Sequence, residues 1–156
     1  MDARSSAATE SAERVLEIER VFDAPRSLVF EAWTEPEHLV HWYGPRGFTL
    51  PSCKLDLRPG GSWRSCMLSA EGREYWVKGV YREIVESERL VFTYAHENQD
   101  GTVVHETLVT VTFAEQRGKT KLTLRQAIFE SLKERDSHRG GWNSSLDRLV
   151  EYLATA

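Results

Sequence analysis

The sequence predicts an α+β fold with a curved antiparallel sheet of about seven strands, two short helices, and a long C-terminal helix on the concave face of the sheet. From Phe48 onward, apolar and polar residues alternate with period two through six consecutive segments separated by short turns, which is typical of an antiparallel meander. One long apolar stripe with helical spacing follows them. Because a curved sheet must cover its concave face, we expect it to pack around this last helix.

The chain begins with a segment that lacks periodicity. Residues 1–13 are rich in Ser, Ala and charge, so we expect a disordered leader before a single domain over residues 14–156. The segment RVLEIERVF then places Leu16, Ile18 and Phe22 on one face, with glutamates on the other. This alternation predicts a half-buried first strand.

Two short helices are predicted next. Pro25 stands where a first helical turn tolerates proline, and Trp33 lies on the apolar stripe that follows. Thr34 and Glu37 have the spacing of a capping box, which predicts a second helix that carries Trp42 and ends at a Gly-Pro pair.

Six strands and the last helix complete the domain. The predicted strands run over Thr49 to Arg58, Ser62 to Ser69, Glu74 to Val85, Leu90 to Glu97, Val103 to Ala114 and Thr120 to Phe129. The apolar stripe of the last helix is expected at Trp142, Leu146, Leu149, Val150 and Leu153. The preceding pair, Gly140 and Gly141, indicates either a close backbone approach or the end of the preceding turn.

Composition and charge exclude several functional classes. The 156 residues carry a formal net charge of -4, and no basic stripe is interleaved with aromatic residues, which argues against nucleic-acid binding. No window approaches about 18 consecutive apolar residues, and the N terminus has no apolar signal segment. We therefore expect a cytoplasmic protein without integral membrane contact, either a monomer or a homodimer.

Several fragments, in this order, carry a resemblance to a known family: FDAPRSLVFEAWTEPEHLVHWYGPRGF, DLRPGGSW, GVYREIVESERLVFTY, LVTVTF, KTKLTL and GGWNSSLDRLVEYL. From about Arg14 to Leu153 the chain resembles the START-like (SRPBCC) helix-grip superfamily. Within it, the chain is similar to the branch named after the activator of the heat-shock protein 90 ATPase. The resemblance implies a hydrophobic cavity between the sheet and the C-terminal helix, with ligand entry near the short helices.

Strand parity and the resemblance together give a set of candidate cavity residues. Three predicted strands place polar side chains after an apolar run, and such groups either satisfy one another or water, or face a ligand. Alternatively, these polar side chains lie beyond the helix, at the open, solvent-exposed end of the sheet. The candidate ligand-binding residues are Trp42, Tyr43, Phe48, Met67, Phe92, Tyr94, His96, His105, Thr107, Gln126, Ile128, Gly141 and Trp142.

Metal and nucleophile chemistry lack the residues they need. His38 and His41 are three apart, but zinc requires three or four converging ligands, and no HExxH or CxxC spacing is present. Cys53 and Cys66 have no adjacent nucleophile motif, which favours inert thiols. We therefore expect no metal, no cofactor and no catalytic nucleophile.

Three functions remain open. The first is binding of a small hydrophobic or aromatic molecule between sheet and helix. The second is a chaperone-associated interaction module, for which Trp42 and Tyr43 would supply exposed rings. The third is a cofactor-free cyclase or hydrolase type of enzyme, with His105 as the general acid or base. Only thirteen residues stand where the eukaryotic co-chaperones of the resembled branch carry an additional domain, so ligand binding is the preferred expectation.

Overall fold

The computed structural model describes residues 14–155, and the leader predicted over residues 1–13 lies outside them. The strands are β1 (Leu16–Phe22), β2 (Thr49–Leu55), β3 (Ser62–Leu68), β4 (Glu74–Val85), β5 (Arg89–His96), β6 (Thr107–Gln116) and β7 (Lys119–Ala127). The helices are α1 (Arg26–Thr34), α2 (Pro36–Leu39) and α3 (Leu132–Thr155). This element order matches the order that the sequence predicts.

The strands form one seven-stranded sheet in the order β1-β7-β6-β5-β4-β3-β2. Every neighbouring pair is antiparallel, and β1 joins the meander by pairing with β7. The predicted α+β class, with a curved antiparallel sheet and a long C-terminal helix, is confirmed. None of the helices in the described part of the chain is both long and apolar enough to cross a membrane.

One face of the sheet is the core face, because apolar residues at alternate positions share it. On β6 it carries Val109, Val111 and Phe113, and on β7 it carries Leu122 and Leu124, all buried. On β1, Arg20 reaches α3 instead, and its guanidinium lies 2.8 Å from a carboxylate oxygen of Asp147. α3 is therefore held on this face by packing and by a charged contact.

The last helix differs from its predicted start. α3 begins ten residues before Trp142, where the Ser131 Oγ accepts a hydrogen bond of 3.1 Å from the backbone N–H of Glu134. Ser131 and Glu134 have the spacing of a capping box, a signal that the sequence reading missed. Gly140 and Gly141 accordingly lie inside the helix and do not mark its start.

Other differences lie at the ends of elements. Val150, predicted on the apolar stripe of α3, is 43% exposed because it lies at the margin of the buried face. The N-cap of α2 is Glu35 without a side-chain cap, since the Thr34 Oγ1 donates back to the Phe30 carbonyl at 3.0 Å. A capping box at Thr34 is therefore wrong, because the hydroxyl has a partner within α1.

The strand predicted from Val103 starts four residues later, at Thr107. The preceding segment forms a turn in which the Asp100 carboxylate accepts hydrogen bonds from the backbone N–H and the hydroxyl of Thr102. Only an isolated bridge joins Val103 to the sheet, so the alternation counted back from Thr107 does not apply to His105. Both Val103 and His105 are exposed.

Candidate functional site

A cavity of about 130 Å³ lies between the sheet and α3. We call it the helix cavity, and it is lined by Tyr43, Gly44, Pro45, Met67, Tyr94, His96, Ser137, His138, Gly141, Trp142 and Ser145. Among the residues that the structure describes, no Asp, Glu, Lys or Arg lines it. Tyr43, Tyr94 and Trp142 supply aromatic rings to its wall, and hydroxyl and imidazole groups supply the polar part. Such a combination is usual in a small-molecule site.

The loop after α2 forms one wall of the helix cavity and is fastened to α3. The backbone N–H of Gly44 donates to the Ser145 Oγ at 3.0 Å, and Arg148 donates to the Gly44 carbonyl at 2.8 Å. Gly44 has φ of 103°, in the left-handed region that glycine adopts without a steric penalty. Loop and helix therefore form a single wall.

Two histidines face each other across the helix cavity. His96 ends β5 and His138 lies on α3, with ring centroids 5.3 Å apart. Burial, followed by repulsion from His96, lowers the pKa of His138 to about 4. Burial also lowers the pKa of His96, and the Glu134 carboxylate opposes that shift. Both rings are therefore neutral at pH 7, and each offers one N–H donor and one nitrogen acceptor.

Two tyrosines contribute further uncharged polar groups. Burial raises the pKa of both Tyr43 and Tyr94, and both side chains line the helix cavity. They stay protonated at neutral pH. A protonated tyrosine hydroxyl can donate one hydrogen bond and can also accept one.

Trp142 is held by a chain of buried hydrogen bonds. Its Nε1–H donates to the Gln126 Oε1 at 2.8 Å, and the Gln126 amide donates to the Thr107 Oγ1 at 2.8 Å. The Thr107 hydroxyl in turn donates to the Tyr94 carbonyl at 3.2 Å. The polar atoms of Gln126 and Thr107 thus satisfy one another, one of the alternatives that the sequence left open, while the imidazoles of His96 and His138 do not join this chain.

A second, smaller cavity of about 30 Å³ lies deeper, under the two short helices. We call it the inner cavity, and it is lined by Trp33, Leu39, Tyr43, Cys53, Leu55, Trp63, Ser65, Tyr81, Leu90 and Phe92. Tyr43 lines both the helix cavity and the inner cavity. None of the described residues around the inner cavity carries a formal charge, because burial raises the pKa values of Cys53 and Tyr81.

Gly79 keeps space for Trp63 in the wall of the inner cavity. The Trp63 Nε1–H donates to the Thr93 carbonyl at 3.1 Å, and a Cβ on Gly79 would meet that carbonyl oxygen at 1.8 Å and Nε1 at 2.6 Å. Gly79→Ala should therefore lower the free energy of unfolding by about 3 kcal/mol, at the upper end for overpacking, because backbone has to move. Urea denaturation checks this, with the unobstructed Gly72→Ala as a control for added strain at a turn; a loss below about 0.5 kcal/mol would contradict the contact.

A third cavity of about 180 Å³ opens toward solvent beyond the two histidines. This rim cavity is lined by Tyr94, His96, Val104, His105, Thr107, Phe129, Glu130, Glu134 and His138. The His105 Nε2 is 2.6 Å from the Ile128 carbonyl oxygen, so one ring nitrogen already has a partner. His96, His138 and Tyr94 separate the helix cavity from the rim cavity.

The structure brings most of the thirteen candidate residues to these cavities. Tyr43, Met67, Tyr94, His96, Gly141 and Trp142 line the helix cavity, Phe92 lines the inner cavity, and His105 and Thr107 line the rim cavity. Gln126 supports Trp142 from behind. Phe48 packs against Tyr75 with ring centroids 5.7 Å apart and is not among the cavity residues. Their role in ligand binding stays a prediction.

Two candidates lie elsewhere than expected. Ile128 is 42% exposed because β7 ends at Ala127 and the alternation is lost beyond it. Trp42 is 0% exposed, and its Nε1–H donates to the Ala32 carbonyl at 2.9 Å. Tyr43 is 9% exposed. The expectation that Trp42 and Tyr43 present exposed rings is wrong, because both rings pack into the aromatic core.

His138 lines the helix cavity and Trp33 lines the inner cavity, but neither is among the candidates that the sequence predicts. His138 precedes Trp142 by four positions, so extending the apolar stripe by one helical turn would have found it. The helical spacing places Trp33 on the apolar stripe of α1. That spacing predicts burial, but it does not indicate which cavity the side chain lines.

One surface group has metal-ligand chemistry. Glu31, Glu35 and His38 each place one ligand atom within 4.8 Å of the others. The His38 Nδ1 is 2.6 Å from the Tyr152 hydroxyl, and its Nε2 is 2.9 Å from the Glu35 carboxylate. These contacts hold His38 without a metal, and His41 stacks on Tyr152 with centroids 5.0 Å apart.

Comparisons with known proteins agree with this architecture. A family model described as activator of Hsp90 ATPase homolog 1-like protein matches residues 23–154. None of the curated proteins matches the sequence significantly. The crystal structure of the AHSA1 protein from Silicibacter pomeroyi is similar with a TM-score of 0.82 and 28% identity, covering 90% of this chain and 98% of that one.

Two further structures share the fold. A protein from Nitrosomonas europaea gives a TM-score of 0.78 and 26% identity, covering 92% of this chain and 96% of that chain. DynU16, a protein from the dynemicin biosynthetic locus, gives a TM-score of 0.73 and 22% identity, covering 91% of this chain and 48% of that chain. At that identity, DynU16 shows the fold alone.

Proposed function

The chain belongs to the family of activator of Hsp90 ATPase homolog 1-like proteins, and on that premise we propose that it binds a small hydrophobic or aromatic molecule in the helix cavity. The observation that carries the proposal is the composition of this cavity. Aromatic rings of Tyr43, Tyr94 and Trp142 line it together with the neutral imidazoles of His96 and His138. Such a site offers apolar contact and uncharged hydrogen-bonding groups to a ligand.

The size of the cavity supports a compact ligand. Pockets for drug-sized molecules usually have volumes of roughly 300–1,000 Å³. The helix cavity has about 130 Å³, and it shares His96, His138 and Tyr94 as wall residues with the rim cavity of about 180 Å³. A bicyclic aromatic molecule fits this size better than a long lipid chain.

Gly141 allows a test that fills the cavity without touching its polar groups. A Cβ on Gly141 would lie 3.8 Å from the Pro45 Cγ, across the helix cavity, whereas a Cβ on Gly140 meets nothing within 4 Å. Gly141→Leu should therefore weaken binding of 2-naphthol at least tenfold, measured by calorimetry and by tryptophan fluorescence. Gly140→Leu should leave the affinity unchanged.

The two variants are matched because both replace glycine inside α3 by a good helix former, which favours the folded state. Equal affinity of the Gly141→Leu and Gly140→Leu proteins for 2-naphthol would place binding outside the helix cavity. Absence of binding by the unmodified protein, across a library of neutral bicyclic aromatics, would refute the proposed function itself.

The two alternatives have weaker support. A chaperone-associated module keeps the support of the family name but loses that of exposed rings, because Trp42 and Tyr43 are buried. An enzyme with His105 as general acid or base has one ring nitrogen fewer to offer, because the Nε2 of His105 is engaged with the Ile128 carbonyl. Ligand binding is therefore the function that we propose.

A further inference from the structure

Trp33 has a polar group that the protein leaves without a partner. Trp33 is 4% exposed. Among the buried side-chain nitrogen and oxygen atoms of the described residues, its Nε1 is the one that has no hydrogen-bond partner. Leaving a buried donor unpaired costs roughly 1–3 kcal/mol. Such a cost calls for an acceptor that is present when the protein works.

The other tryptophans of the aromatic core show what a satisfied indole looks like here. Trp42 donates to the Ala32 carbonyl, Trp63 to the Thr93 carbonyl, and Trp142 to the Gln126 amide oxygen. These bonds measure 2.9, 3.1 and 2.8 Å. Trp33 lines the inner cavity as Trp63 does, but it differs from all three because no acceptor in the described residues reaches its N–H.

The inner cavity has room for one small polar group. Its volume of about 30 Å³ is sufficient for at least one water molecule. A carbonyl oxygen is of similar size. The hydroxyl and thiol groups around it, on Tyr43, Tyr81, Ser65 and Cys53, are uncharged, so a carboxylate would enter without a cation to pair with it.

The ring of Trp33 lies next to a residue of the helix cavity. Its ring stacks on Trp142 with centroids 5.7 Å apart at 27°, and Trp142 lines the helix cavity. Tyr43 lines both cavities and is therefore the side chain between them. A ligand that spans both cavities would have to pass the ring of Tyr43.

We propose that the ligand is an uncharged aromatic or cyclic carbonyl compound, and that the Trp33 Nε1–H selects it by donating a hydrogen bond to the carbonyl oxygen in the inner cavity. This inference rests on the proposed binding function and adds to it the chemical class of the ligand. Trp33 is then a specificity-determining residue of the site.

A pair of probes that differ in one group tests this selection. 1-Tetralone carries a carbonyl where tetralin carries a methylene, and the two are otherwise matched. The unmodified protein should bind 1-tetralone roughly tenfold more tightly than tetralin, as calorimetry would measure. In Trp33→Phe the preference should fall to about one, because the donor is gone and most of the ring remains.

Trp42→Phe is the matched control, because Trp42 is equally buried, its N–H is already bonded to the Ala32 carbonyl, and it is not among the residues that line the helix, inner or rim cavity. It should keep the preference for 1-tetralone. A measurement on the unmodified protein adds an independent readout: 1-tetralone, and not tetralin, should shift the indole N–H resonance of one tryptophan downfield in a ¹H–¹⁵N spectrum.

The outcomes separate the two levels of the proposal. If both probes bind equally and no indole resonance responds to the carbonyl, the binding function stands and the role of Trp33 is overturned. The same holds if Trp33→Phe keeps the full preference for 1-tetralone, since a bound water would then satisfy the indole. If neither probe binds and no resonance moves, the proposed function fails together with this inference.

Discussion

Replacing Trp142 by alanine should lower the free energy of unfolding by about 3–5 kcal/mol, the usual cost of truncating a buried tryptophan. Trp142 stacks on Trp33 and meets the rings of Tyr43 and Tyr94 at centroid distances of 6.0 and 6.4 Å. The truncation also leaves the buried Gln126 amide oxygen without its donor. Because domains are stable by only about 5–15 kcal/mol, this loss is a large fraction of the total.

Urea denaturation monitored by circular dichroism measures the effect. Trp142→Phe keeps most of the packing and removes the hydrogen bond to Gln126, so it should cost less than the alanine variant. Val150→Ala, on the same helix but 43% exposed, should change the free energy by less than about 0.5 kcal/mol. A loss below about 1 kcal/mol for Trp142→Ala would show that α3 does not anchor the core through this residue.

The second large effect is a loss of stability in acid that His138 should cause. Its pKa is about 4 in the folded state, compared with an ordinary value of 6.5. Above pH 6.5 the imidazole is neutral in both states and contributes nothing to the pH dependence. Between pH 6.5 and 4 the unfolded chain binds a proton that the folded protein does not, so the free energy of unfolding falls by about 3 kcal/mol.

The surroundings of His138 explain why its pKa is lowered. Phe129, Tyr94 and His96 pack around its ring at centroid distances of 5.0, 5.7 and 5.3 Å. The Glu134 carboxylate lies 3.9 Å away, but it is half-exposed and solvent screens it. His96 has a lowered pKa as well, so the two rings resist protonation together.

His138→Phe isolates this contribution, because phenylalanine keeps an aromatic ring in the cluster and does not titrate. Stability curves at pH 7 and pH 4 should show that the variant loses about 3 kcal/mol less than the unmodified protein on acidification. His41→Phe is the control for the substitution itself, because it replaces a histidine outside this cluster, stacked on Tyr152 at the surface, by the same residue. Identical pH profiles for the His138→Phe and unmodified proteins would contradict the lowered pKa.

Periodicity determined most of the fold, since the sheet has one buried face and a one-residue shift would expose it. Leu90, Val109 and Leu122 lie on the core face as their parity predicts. The pattern failed where a strand ended. In the sequence, His105 and Ile128 continue the alternation of β6 and β7. Both residues lie outside these strands, where successive side chains no longer point to opposite faces of the sheet.

The candidate site was predictable only in part. Tyr94 and His96 continue the apolar run of β5, Trp142 opens the apolar stripe of the last helix, and all three line the helix cavity. Gln126 carried the same signal, but it is paired with Trp142 and Thr107 behind the wall. A polar side chain at a core position therefore indicates a hydrogen bond without indicating whether its partner is the protein or a ligand.

The sequence by itself determined the element order, the core face of the sheet, the gripping helix and the uncharged character of the cavity candidates. These features depend on local periodicity and on residue type. Only the tertiary structure decided that His96 meets His138, that Trp42 is buried, and that the Trp33 N–H alone among the core indoles in residues 14–155 has no partner. Each of those facts depends on distances between elements far apart in the chain, which helix docking on the sheet sets and which no local pattern encodes.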